Sequence, residues 1–220
     1  MILAVLRPTT TNPLSNLEAW TVMQQTATID RLCWVVLSFA LAALLRAVPD
    51  LLLPGIPVGF DTITYLAGTI HLWLERGVNW LYAFQIGPLI YLLVYLPTCL
   101  GADLFSVVKV FGPLIYGLFA VGSLVFLRTN LKLGWFYSFL GTIFMVLQVV
   151  NLRLGWDLWR NLLGLTLILL ILAAWHRGRY VLPVTIILSV LIVLTNQLAA
   201  VTLFVTSVFA LASSALRGRR

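Results

Sequence analysis

The sequence predicts an all-α integral membrane protein of about six transmembrane helices with external juxtamembrane helices, and three observations carry that expectation. Of 220 residues, 61% are hydrophobic and only 10% are charged. The mean hydropathy is +1.04. The basic residues fall in short clusters between apolar runs instead of along one stripe. Such a composition leaves no room for a separate water-soluble catalytic unit. The net charge of +7 therefore fits the positive-inside rule, and nucleic acid is not expected as a partner. The expected location is multi-pass, in the plasma (cytoplasmic) membrane of a prokaryote, with membrane lipids as immediate neighbours.

Residues 1–31 read as a cytoplasmic arm. The apolar run MILAVL is short, precedes its charge and is followed by Pro and polar residues, so no signal-peptide cleavage is expected. Asn12 and Pro13 look like a helix start. Leu17, Trp20, Val22 and Met23 suit an interfacial helix over Leu14 to Asp30, with a loosely ordered arm as the open alternative.

Apolar segments follow at Leu32 to Val48, Trp80 to Leu100, Phe105 to Leu127, Leu133 to Val150, Leu162 to Trp175, Val181 to Leu194 and Leu198 to Leu216. Crossing the hydrocarbon core takes roughly 20 residues. Arg31, the pair Arg128 and Lys132, the pair Arg177 and Arg179, and the tail Arg217, Arg219, Arg220 all belong on the cytoplasmic side. The chain must then cross an even number of times between Arg31 and Arg128. Trp80 to Leu100 is the segment expected not to span, because Gly87-Pro88 and Pro97 interrupt it. Six crossings result, both termini are cytoplasmic, and residues 32–216 form one transmembrane domain with a basic tail at 217–220. Outer loops fall at 49–104 and 151–161, which places Asp50, Asp61, Glu75, Asp103 and Asp157 outside.

Within the first outer loop, Ile63, Leu66, Ile70 and Leu74 are spaced as on a helix, which predicts a juxtamembrane helix from Asp61 to Arg76. Asp61 then sits at a helix start, where the anion is favoured. Two readings stand there, a base or metal ligand on one side and an ordinary N-cap on the other. Arg46 and Lys109 are expected to snorkel to the interface or to face a lipid-phosphate groove. Asn196 and Gln197 predict a polar turn between two short helices. Gly112, Gly117, Gly122 and Gly141 permit close helix contact within one chain or between chains. Cys33 and Cys99 fall near opposite faces, so no bridge is expected, and both read as small core hydrophobes.

The order of parts resembles the GT-C superfamily of membrane glycosyltransferases, which includes oligosaccharyltransferase catalytic subunits, protein O-mannosyltransferases and lipid A aminoarabinose transferases. The matching parts are GFDTITY with Asp61 and Tyr65, the Pro-Leu segment GPLIYLLVYL from Gly87 to Leu96, RLGWDLWRN with Arg153, Asp157 and Arg160, and LTNQLAAVTLF from Leu194 to Phe204. Family members continue for several more helices and often a soluble domain, so the chain corresponds to the family's N-terminal module.

The resemblance implies transfer of a sugar from a polyprenyl-phosphate or polyprenyl-diphosphate donor to an acceptor at the outer face. Asp61 would be the general base that activates an acceptor hydroxyl, while Arg153 and Arg160 would meet the leaving lipid phosphate. Asp157 would orient those arginines or hold a divalent cation, Mg or Mn. Tyr65 would line the acceptor cavity; His71, ten residues after Asp61, either faces the same site or is an ordinary interfacial histidine. The plainer reading of RLGWDLWRN is an interfacial loop, with Trp156 and Trp159 in the aromatic belt and Asp157 paired to an arginine. A second function class is a non-catalytic membrane subunit or scaffold derived from such an enzyme and held by a partner membrane subunit. A small transporter would show internal repeats and mid-membrane charges, and neither is found.

Overall fold

The computed structural model describes residues 13–53, 59, 62–156, 158–175 and 181–217, with the backbone alone at 13–27, 62–63, 149, 156, 181 and 210–217. Every element among them is helical: α1 Pro13–Leu52, a π-helical turn Thr62–Ala67, α2 Gly68–Arg76, α3 Trp80–Ile86, α4 Pro88–Cys99, α5 Leu104–Thr129, α6 Trp135–Leu147, α7 Val149–Trp156, α8 Trp159–Ala174, α9 Val181–Thr195 and α10 Gln197–Arg217. Two stretches, Thr28–Leu52 and Leu104–Thr129, are long and apolar enough to cross a membrane.

Helix α1 differs from expectation. An arm with an interfacial helix was expected before a separate span beginning at Leu32, yet the chain is one helix of 40 residues. No Gly or Pro interrupts Leu14 to Val48, so nothing in the backbone forces a break. Pro13 occupies the first position, where its missing N–H costs no helical bond.

Helix α5 is the hub, packed against α1, α6 and α8. Its glycines do what close contact requires: a Cβ on Gly117 would lie 2.6 Å from the Phe39 ring of α1, so the two helices cross where the side chain is absent. These contacts lie within one chain. The kink between α6 and α7 at Gln148 frees two carbonyls. Asn151 Nδ2 donates to Met145 O at 2.6 Å and the Tyr116 hydroxyl donates to Val146 O at 2.5 Å, so the break is satisfied from both sides.

Asp103 caps α5, accepting from the Ser106 N–H at 2.8 Å and from its hydroxyl at 2.9 Å. The backbone bond first and the hydroxyl second hold this carboxyl below its ordinary value of 3.8. A lowered carboxylate stabilises the fold fully above that ordinary value, and the contribution is lost as pH falls through the lowered one. Asn caps without titrating. The thermal midpoint of wild type should therefore exceed that of Asp103→Asn at neutral pH, and the difference should shrink below pH 3.8; a constant difference would contradict this.

The predicted break at Gly87-Pro88 is present: Gly87 has φ +80° and separates α3 from α4. Pro97 does not break α4, since it sits in the last turn. The helix expected over Asp61 to Arg76 begins as a π-helical turn, and its inward stripe is Leu66, Ile70 and Trp73, with Leu74 exposed. The predicted outer loop at 151–161 is largely helical. α7 runs through Trp156 and α8 resumes at Trp159, and the Leu158 N–H donates to Leu154 O at 3.0 Å, so Gly155 does not open a long loop here. Cys33 and Cys99 are both exposed and not core residues, because each lies on the outward side of its helix.

Candidate functional site

One end of the bundle gathers the chain elements that flank the two acids singled out by the sequence. Lys109 Nζ, on the first turns of α5, donates to Leu53 O at the end of α1 at 3.1 Å. Arg46 of α1 reaches Gly155 in α7. Arg160, on the first turn of α8, donates to Ile86 O at the end of α3. Gln197 Nε2, opening α10, donates to Gln85 O at 2.9 Å. The last carbonyls of α3 thus find donors from α8 and α10. At the opposite end, Asn130 Nδ2 donates to Leu172 O at 3.1 Å, and Arg128 donates to Leu133 O at 2.8 Å while lying over Trp135.

Asp61 and Asp157 themselves lie outside the described residues. Their neighbours are placed: Thr62 opens the π-helical turn that packs on α5, and Trp156 and Leu158 join α7 to α8. Beside Gly155 of α7 sits a buried ionic group that sequence reasoning misjudged. Arg46 is 1% exposed, so it does not snorkel. Its Nη1 meets Asp50 Oδ2 at 2.5 Å, and its Nε donates to Gly155 O at 2.8 Å. Asp50, one helical turn later, is buried as well. The i, i+4 spacing of Arg46 and Asp50 is the signal that would have found the pair.

The described residues expected at the donor and acceptor sites stand on four elements: Tyr65 on the π-helical turn, His71 on α2, Arg153 on α7 and Arg160 on α8. Arg160 is half-buried; its guanidinium lies 5.7 Å over the Tyr91 ring while it caps α3. Arg153 is exposed on α7. Tyr65 is exposed on the π-helical turn, and His71 is exposed on α2, where its Nε2 lies 3.1 Å from Glu75 Oε1. Among the described residues no hydrogen bond, ion pair or ring contact links Tyr65, His71, Arg153 and Arg160 to one another. Trp159 is 3% exposed, buried against α5 instead of forming part of an aromatic belt.

Among the described residues no three His, Cys, Asp or Glu side chains converge on a metal-binding set. Asp157, the residue expected to hold Mg or Mn, lies outside the described residues, and the buried carboxylate of Asp50 is held by Arg46. A cavity of about 180 Å³ opens between α8 and α10, lined by Asn161, Leu165, Asn196, Ala199 and Thr202 among others. Asn196 Nδ2 donates to Asn161 Oδ1 at its polar end, and Asn196 Oδ1 accepts from the Leu198 N–H at 2.7 Å, which makes the predicted polar turn between α9 and α10.

No protein-family model, curated protein or solved structure matches this chain.

Proposed function

We propose that the protein is a six-crossing membrane protein with both termini cytoplasmic, in the plasma membrane of a prokaryote. Its outer end would handle a polyprenyl-phosphate-linked sugar in the manner of a GT-C module. Membrane placement is supported by α1, whose Leu32, Val36, Leu44, Val48 and Leu51 are all exposed. In water such a face would be a large apolar patch; in lipid it is solvated. Sidedness is supported by the ends of the bundle, since Arg128 and Lys132 lie opposite the Arg46 end.

The observation that carries the reading is the Arg46–Asp50 pair, buried in the bundle and tied through the Arg46 Nε donation to Gly155 O to the segment that leads into Asp157. Ionisable groups held out of water in an apolar bundle are expensive and mark functional sites by default. The π-helical turn beginning right after Asp61 is a second local irregularity of the kind found at such sites. Asp61 serves as the base that takes the acceptor hydroxyl's proton.

Native membranes carrying the full chain and a labelled polyprenyl-phosphate hexose test this. Transfer of label to an acceptor should fall about 10²- to 10⁴-fold in Asp61→Asn. Equal transfer in wild type and Asp61→Asn would overturn it.

A non-catalytic membrane subunit is the second reading, and a specific observation favours it: Arg160 is engaged by Ile86 O and Tyr91, and Arg153 stands apart. Absence of transfer in wild type, with a stable partner chain recovered from the same membranes, would decide for it.

A further inference from the structure

We propose that Arg46 is a positioning residue for the α7–α8 link, the segment that carries Asp157; the inference rests on Asp157 belonging to the outer-end site proposed above. Arg46 is too deeply buried to meet a lipid phosphate, being 1% exposed. It acts through the backbone instead. Its Nε donates to Gly155 O, 109 residues further along the chain, while Nη1 is fixed by Asp50. The planar fork offers separate, fixed donor atoms to a carboxylate on one helix and a carbonyl on another, whereas a lysine ammonium must serve both from a single nitrogen.

The surroundings are shaped to this guanidinium. A Cβ on Gly112 of α5 would lie 3.0 Å from Arg46 Nη2, so the glycine provides the space in which the guanidinium lies. From the other side, a Cβ on Gly155 would lie 2.6 Å from Tyr116 Cδ2, so the end of α7 is pressed onto the Tyr116 ring. Tyr116 in turn holds the end of α6 through Val146 O. Trp159, the first residue of α8, packs against the same spot on α5, since its Cζ2 would lie 3.0 Å from that Gly112 Cβ. The link is thereby gripped just before and just after Asp157, by α1 and α5 together.

The test uses the full chain in proteoliposomes. With Cys33 and Cys99 replaced by alanine and Leu158→Cys added, reaction with a membrane-impermeant maleimide reports how often the link opens. Arg46→Lys and Gly112→Ala, which keep the positive charge, should each raise that rate about tenfold, the effect of a modest local opening. The exposed Cys99, labelled in the otherwise unchanged chain, should react no faster in either variant, which separates local opening from unfolding. Turnover of a polyprenyl-phosphate hexose should fall in Arg46→Lys at saturating lipid, with the half-saturating concentration unchanged. Unchanged Leu158→Cys labelling in both variants would overturn the proposal. Faster labelling together with full activity of Asp157→Asn would support the clamp and instead overturn the site on which its catalytic meaning rests.

Discussion

Replacing Arg46 by methionine should cost about 3–5 kcal/mol of stability, the scale on which removing one partner of a buried ion pair is felt. The cation that faces Asp50 at 2.5 Å is gone, and so is the donor to Gly155 O. The Asp50 carboxylate, itself buried, is left without this guanidinium. Removing both charges should be far milder, because a buried pair and a well-packed apolar pair of similar volume are close in free energy. Unfolding in denaturing detergent should therefore rank wild type and Arg46→Met/Asp50→Leu close together, with Arg46→Met well below. A single-variant cost under about 1 kcal/mol, the range of exposed pairs, would show that the pair is effectively solvated.

Gly87→Ala should be the most damaging single-methyl change in the chain. At φ +80° the left-handed conformation alone costs an L-residue about 1–2 kcal/mol. The added Cβ would also fall on the Thr195 carbonyl oxygen, at the end of α9, inside van der Waals contact. A backbone atom cannot rotate away as a side chain can, so α3–α4 and the α9–α10 turn must separate. That separation would strip Gln85 O and Ile86 O of Gln197 and Arg160. Gly101 gives the comparison: its φ is +98° but a Cβ there meets nothing within 4 Å, so Gly101→Ala should lose only the conformational part. Thermal unfolding that ranks the two variants equal would contradict the contact.

Much of the helical layout was legible because it depends on local chemistry. Gly87-Pro88 announces its break, and Asn196 announces the turn between α9 and α10. The glycines of α5 were legible as contact points, though the Phe39 ring that covers Gly117 was not. What escaped was whatever depends on partners far along the chain. Arg46 looked like an interfacial arginine because its carbonyl partner is 109 residues away. The bond from Arg160 to Ile86 O was hidden because a sequence cannot show that α3 ends beneath it. The π-helical turn after Asp61 and the helical course of Arg153 were hidden for another reason: apolar periodicity does not separate a loop rich in Trp and Leu from a short helix.

The most direct measurement is photocrosslinking of the full chain in proteoliposomes with a polyprenyl phosphate carrying a photoreactive group beside the phosphate, followed by peptide mapping of the adducts. Adducts confined to 53–66 and 150–161, the segments that carry Asp61 and Asp157, and competed away by unlabelled polyprenyl phosphate, are the expected result. Adducts spread over the exposed apolar faces of α9 and α10, with none near the Arg46 end, would contradict an outer-end lipid-phosphate site.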